Sequence, residues 1–408
     1  MATVSGLLAA LPPAVDAVAV RSGDHFVVAA HPDEVLAADG EDALARLDAL
    51  GRGWWAGYFG YDLGRAVERV VPRIPIEPAP PDLLLGRFPA RVVVDLATGA
   101  AQVVGHGTGR AVLEQALRSA APAGPSTPGP GLPRTEWRSS LDREAFVVRV
   151  RAALELIAAG DCYQVNLTRR LTTARRVEPT ALFAALARDN PAPHAALLRF
   201  VGSDVSVVSA SPETFLRWDG RRVETRPIKG TAAEADVLAV SAKDRAENVM
   251  IVDLARNDLG RVCEFGSVHV PALCEIEAHP GLHHLVSTVR GTLRPDVGPG
   301  ALIRATFPPA SVTGAPKPRV LQAIEDLEPV RRGPYCGALG WLDTERGTGE
   351  LAVAIRTFVA HGDRTHLGVG GGIVADSDPG SEWAETELKA ARLLEAAAKP
   401  APASRLAS

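Results

Sequence analysis

Apolar residues in this chain fall in short bursts cut off by Gly and Pro, and helical periodicity is confined to a few stretches. The β-branched run Val92–Val94, ended by Ala97-Thr98-Gly99, reads as a strand, and Ser206-Val207-Val208-Ser209 reads the same way. From Arg143 to Ala159 the residues Phe146, Val150, Ala153, Leu154 and Ile157 follow the spacing of one buried helical face. Gly160 then supplies a stop. Further helices are expected from Lys243 to about Leu259 and from about Glu382 to Ala398. Strands and helices mix without a regular βαβ repeat, so the pattern predicts α+β packing rather than a doubly wound sheet. No repeat of solenoid type is visible.

The 408 residues suggest two to three domains, or one large one, at roughly 150 residues per domain. Hydrophobic residues make up 46 % and charged residues 23 %, enough apolar side chain to rule out disorder over most of the chain. The net charge of −4 argues against a nucleic-acid surface, which needs a basic excess. No apolar run approaches the roughly 18 residues of a membrane helix, and the N-terminus, with Pro12 and Pro13, is a poor signal peptide. The cysteines Cys162, Cys263, Cys274 and Cys336 are scattered without a CxxC pair, so a reducing cytoplasm is expected. One segment, AAPAGPSTPGPGLP from Ala120 to Pro133, is a linker by composition. It divides the chain into an N-terminal region (1–119), a linker (120–135), a larger region (136–398) and a frayed tail (399–408).

Several segments can carry chemistry. After Gly160, Tyr163, Val165 and Leu167 alternate with Gln164, Asn166 and Thr168, giving a strand with one polar face. Gln164 can hydrogen-bond a ligand but is a poor general base, and a solvated strand face is the plain alternative. Glu213, in Ser211-Pro212-Glu213-Thr214, has the form of a turn residue. Lys229, in Arg226-Pro227-Ile228-Lys229-Gly230-Thr231, has the form of a surface lysine. Buried on neighbouring strands, the two would make an acid with a raised pKa and an amine with a lowered one. Asp244 and Glu247 stand three apart on a helix; Glu382, Glu385 and Lys389 follow i, i+3, i+7. Such acids on two helices suit a hard cation such as Mg²⁺, or simply form solvated faces.

The glycine run Gly368-Val369-Gly370-Gly371-Gly372-Ile373 opens backbone N–H groups to an anion, or lets two backbones approach. It has neither the GK[ST] ending of a phosphate loop nor the GxGxxG spacing of a dinucleotide site. Arg356, on an apolar strand, needs an anionic partner, which Tyr335 can share. His283 and His284 have the setting of satisfied core histidines, and the run Asp253–Asp258 reads as ion pairs closing a helix end.

Taken together the segments resemble the chorismate-utilising enzymes. The matching stretches are GDCYQVNLTRR, SPETFLR, RPIKGT, DRAENVMIVDLARNDLGRVC, HHLVSTVRGTL, FPPASVTGAPK, RRGPYCGALGW, AIRTF, GVGGGIVADSDP and EWAETELKA, spread from Arg143 to Leu394. The N-terminal part matches more weakly, through Gly57–Gly64. The resemblance implies two packed antiparallel sheets, a β-sandwich with helices outside, which the N-terminal part completes. It implies Mg²⁺ held by Glu247 and Glu385 with Asp244 and Glu382 alongside. It implies catalytic positions at Lys229, Glu213, Gln164 and His284.

Binding of the enolpyruvyl carboxylate is implied for Tyr335, Arg356, Gly370, Gly371 and Gly372, with Lys389 adding positive charge and Gly230, Thr231 and Thr313 lining the pocket. At the position of Gln164 the isochorismate and salicylate synthases carry a lysine. At Lys229 the anthranilate synthases carry alanine in PIAGT, whereas the aminodeoxychorismate synthases are similar to this chain, with PIKGT. The resemblance thus implies amination of chorismate at C4, with Lys229 adding covalently to the ring; anthranilate formation is the alternative. No nucleophilic cysteine stands in a GxCxG turn, so a separate glutaminase subunit is expected to supply ammonia. The Leu-Leu-Glu-Ser signature of tryptophan feedback is absent, so tryptophan inhibition is not expected.

Overall fold

The computed structural model describes residues 1–75, 77–120, 130–279 and 282–399. Most of the expected linker (121–129) and tail (400–408) lies outside the described residues. Among those described, the strands form two antiparallel sheets of eleven and ten strands.

The first sheet runs in the order Gly314–Ala315, Gln164–Thr173, Arg364–Ile373, Thr357–His361, Val205–Ser211, His194–Phe200, Ala17–Ser22, His25–Ala30, Ala90–Asp95 and Ala101–Gly105. The second runs Ile228–Ala232, Leu282–Thr292, Arg222–Arg226, Thr214–Asp219, Thr348–Val353, Ala338–Asp343, Trp54–Phe59, Leu83–Arg87 and Glu34–Ala38; off these paths, Arg138–Ser139 pairs with Gln164–Thr173 in the first sheet and His269–His279 with Leu282–Thr292 in the second. Strands from the first hundred residues thus enter both sheets. Ala17 pairs with Arg199 in one, and Trp54 pairs with Asp343 in the other.

Alternation along each strand builds three apolar layers. On Ala17–Ser22, Val18 and Val20 point between the sheets, while Ala17 and Ala19 point to a layer shared with outer helices. On Trp54–Phe59, Trp54, Ala56 and Tyr58 face the other sheet, and Trp55 and Phe59 face outward. Both faces of the central strands are buried, so these strands read as continuous apolar runs rather than as clean alternation. No helix among the described residues is long and apolar enough to cross a membrane.

The helices follow their sequence signals closely. Arg143–Ala158 is capped by Asp142, whose carboxylate accepts the Ala145 N–H at 2.8 Å, and it buries Phe146, Val150 and Ala153. The next expected helix spans Ala242–Gly260. The last spans Pro379–Ala398, starting before Glu382 because Asp378 caps it with Pro at the first turn.

Three local expectations are corrected. Arg356 does not lie on a strand; it sits in the break between Thr348–Val353 and Thr357–His361 with φ 51°. Glu213 and Lys229 are not on neighbouring strands; Glu213 occupies the turn before Thr214–Asp219, while the Lys229 strand pairs with Leu282–Thr292. The polar face of Gln164–Thr173 is not solvated: Gln164, Asn166 and Thr168 are all buried.

Candidate active site

Two helices deliver the acids. Ser241 caps Ala242–Gly260, accepting the Asp244 N–H at 3.2 Å and donating to the Asp244 carboxylate at 2.6 Å. Glu247 follows one turn on. Pro379–Ala398 lies along the glycine strand and presents Glu382, Glu385 and Lys389 from one face. Lys389 Nζ is 2.6 Å from Glu385 Oε1 and donates to the Gly370 carbonyl at 2.8 Å. Ser377 donates to Glu382 at 2.6 Å. The absence of a side chain at Gly371 leaves room between these groups. A Cβ there would stand 3.2 Å from Glu382 Oε2, 3.7 Å from Glu385 Oε1 and 3.9 Å from Lys389 Nζ.

Lys229 is the hub. Its Nζ lies 3.9 Å from Glu247 Oε2, and Lys243 Nζ lies 3.9 Å from the other Glu247 oxygen. Burial pushes the Lys229 ammonium down, against the pull of Glu247 and Glu213; Lys389 pushes it further down. Gly230, at φ +83°, sits against Asp244 and keeps the lysine strand close to the helix.

Glu213 is fixed through its backbone. Its N–H donates to the Ser211 hydroxyl at 3.3 Å, and its carbonyl accepts the Val353 N–H at 3.0 Å. Burial raises its carboxyl to about 7, against the opposing pull of Ser311, Lys229 and the Ile228 N–H. An acid with that pKa is well matched to protonating a leaving group at neutral pH. Glu213 also borders a cleft of about 370 Å³, with Asp258 and Ser311 further along its wall.

Desolvation raises Glu247 and Glu382. It also acts to raise Glu385, but Lys389, with Lys243 and Lys229, holds that carboxyl below its usual range. Among the described residues no three His, Cys, Asp or Glu side chains converge closely enough to hold a metal. The donor chemistry nevertheless fits Mg²⁺: carboxylate oxygens from two facing helices, beside the space kept open at Gly371.

Gln164 is fully buried, and neither its amide oxygen nor its nitrogen makes a hydrogen bond. It faces Gly372, where a Cβ would stand 2.8 Å from Gln164 Nε2. An orphaned buried polar group costs about 1–3 kcal/mol, so this amide suits a ligand better than it suits the core. His284 Nδ1 bonds the Thr231 hydroxyl at 2.8 Å across the strand pair.

Arg356 is mostly buried, which lowers its guanidinium, as does Arg392; Glu213 opposes both. The Tyr335 ring rests on Gly368, where a Cβ would meet it at 2.1 Å. The ring lines a second cleft of about 620 Å³ together with Thr168, Arg170 and Arg331. The Thr313 hydroxyl is committed to the turn it closes, donating to the Pro309 and Ala310 carbonyls at 3.2 Å each.

The structure therefore gathers Lys229, Glu213, Glu247, Glu385 and Lys389 into one electrostatic group. Two neighbouring charges were missed in the sequence. Lys243 stands four residues before Glu247 and acts on Glu247, Glu382 and Glu385, while the exposed Arg392, three residues after Lys389, acts on Arg356.

A family model described as chorismate binding enzyme matches residues 14–395. The chain belongs to the chorismate-binding enzyme family. It is 39 % identical over 348 residues to aminodeoxychorismate synthase component 1 of Klebsiella aerogenes, an alignment covering 83 % of this chain and 76 % of that one. It is 40 % identical over 357 residues to anthranilate synthase component 1 of Thermus thermophilus, with 83 % and 76 % covered. Among solved structures, anthranilate synthase component I from Streptococcus pneumoniae superposes with a TM-score of 0.78 at 28 % identity, covering 91 % of this chain and 92 % of that one. This chorismate-binding enzyme thus has the sandwich fold that its motifs imply.

Proposed function

We propose that this enzyme aminates chorismate with ammonia to 4-amino-4-deoxychorismate, the precursor of 4-aminobenzoate and folate. The observation that carries the reading is Lys229: a mostly buried amine between the acid Glu213 and the carboxylate Glu247, where anthranilate synthases have alanine. Bound Mg²⁺, held by Glu247 and Glu385 with Asp244 and Glu382 beside them, would neutralise and orient the ring carboxylate.

The chain's own residues supply the rest. The Lys229 amine adds at C2 while Glu213 gives its proton to the C4 hydroxyl, which leaves as water. Ammonia bonds to C4 as the bond from Lys229 to C2 breaks, and the excess proton of the new ammonium returns to Glu213. Protons and charges balance without an outside acid. Arg356 and the N–H groups of the glycine strand receive the enolpyruvyl carboxylate, with Tyr335 beside them. Gln164 offers its unpartnered amide to the incoming ammonia, which needs no base because its lone pair is free. The word component in the relatives' names supports a separate glutaminase subunit as the ammonia source. The four buried, unpaired cysteines fit a reducing cytoplasm.

Anthranilate formation is the second reading, favoured by the identity with the Thermus thermophilus enzyme. A product assay separates the two, with purified chain, chorismate, Mg²⁺ and ammonium at mildly alkaline pH. The expected product retains the enolpyruvyl group and yields 4-aminobenzoate when a lyase is added. Fluorescent anthranilate with released pyruvate would reverse the order of the two readings.

A further inference from the structure

The carboxylates of the site are already partly offset by cations of the chain itself. Glu247 is shared by Lys229 and Lys243 at 3.9 Å each, and Glu385 is held by Lys389 at 2.6 Å. The charge of Lys243 also reaches Glu382 and Glu385 on the opposite helix. With Lys229 as the free amine of the proposed reaction, the ammonium groups of Lys243 and Lys389 offset part of the charge of Asp244, Glu247, Glu382 and Glu385. A divalent cation entering such a group gains further attraction when an ammonium leaves.

The three lysines are not equally free to leave. Lys229 has a side chain only 14 % exposed and lies between elements. Lys389, at 47 %, is tied by a short contact to Glu385 and by a hydrogen bond to the Gly370 carbonyl. Lys243 is 57 % exposed, and its carboxylate contact is 3.9 Å long. Glu247 is only 15 % exposed, but a contact of that length from a solvent-facing ammonium is weak, and solvent takes up the released ammonium at small cost.

We propose that Lys243 is a displaceable place-holder for the metal: its ammonium balances the acids of the empty site and swings into solvent when Mg²⁺ binds. The inference rests on the proposed Mg²⁺ site and assigns a role to a residue that the reaction scheme does not use. Lys243 is a positioning residue. It offsets the charge of the acids without metal, and it sets a threshold of Mg²⁺ concentration for loading.

Two measurements test it on the full chain with Mg²⁺ as the only ligand. Calorimetric titration should give roughly three- to tenfold tighter Mg²⁺ binding in Lys243→Ala, with Lys243→Gln close behind and Glu247→Gln losing the site. Mass-spectrometric labelling with an amine-reactive reagent should show Lys243 of the wild type becoming more reactive on adding Mg²⁺, with exposed lysines elsewhere unchanged. Removing a positive charge alone could tighten binding, so the labelling result carries the displacement itself. Equal Mg²⁺ affinity in wild type and both Lys243 variants, or Lys243 reactivity that stays flat or falls, would overturn the inference while leaving the metal site standing. Absence of Mg²⁺ binding in every form would remove the metal site and the inference together.

Discussion

Two lysines buried against the same helix have opposite fates. Lys317 opens the helix Lys317–Leu327 and reaches Asp258 Oδ2 at 2.7 Å and the Thr306 carbonyl at 3.0 Å. Its partner stands near the end of Ala242–Gly260, in the charged run read from sequence as closing a helix. Lys229 meets the first half of the same helix, but its carboxylate, Glu247, is 3.9 Å away and shared with Lys243. A short pair with its remaining donors satisfied locks a helix to its neighbours. A desolvated ammonium with a long, shared contact is poorly stabilised as a cation, and that favours the free amine a nucleophile needs. On the proposed mechanism, the difference between structural and chemical lysine would lie in distance and sharing more than in burial.

The largest expected effect separates the two sites by readout. Lys229→Ala should lower the amination rate by a thousandfold or so while changing thermal stability little, because the proposed covalent route would be lost. Glu213→Gln should cost roughly a hundred- to ten-thousandfold. A rate change under tenfold in either variant would dissolve the contrast.

Lys317→Ala should instead act on the fold. Leaving Asp258 buried and unpaired costs about 3–5 kcal/mol, read as a lower denaturant midpoint. Unchanged stability would show that the short pair is not structural.

The third prediction concerns pH. Burial raises the Glu213 carboxyl to about 7, so its acid form is lost as pH rises through that value. Turnover per unit of free ammonia should fall above neutrality in the wild type, and Glu213→Gln should lose that limb. The same shift means ionised Glu213 destabilises the fold, so native stability should decline as pH climbs from about 4.5 through 7.

The smallest effect belongs to Gln164. Replacing its orphaned amide in Gln164→Leu should raise stability by about 1 kcal/mol while reducing activity. Lower stability would mean that the amide serves the core.

Local signals in the sequence reach far into this fold. Asp142 and Gly160 delimit their helix as the capping rules require, and the acids at i, i+3 do face a common site. What is hidden is what covers a face. The alternation around Gln164 shows polar residues on one side but not that this face is enclosed, and its ladder neighbour, the glycine strand, arrives from two hundred residues away. Arg356 reads as a strand residue because its neighbours are apolar, yet two strand ends leave it in a left-handed turn. Lys243 passes unnoticed for the same reason: its spacing to Glu247 also suits an ordinary solvated pair, and only the approach of the last helix gives it a second set of acids.

The claim that the loosely held lysine is the nucleophile is tested most directly by rapid-quench mass spectrometry. Wild-type protein would be mixed with chorismate and Mg²⁺ without ammonia, then digested. A peptide carrying Lys229 with the added mass of chorismate less one water is the predicted result. Full amination activity in a protein that never shows this adduct, and that keeps its rate in Lys229→Ala, would contradict it.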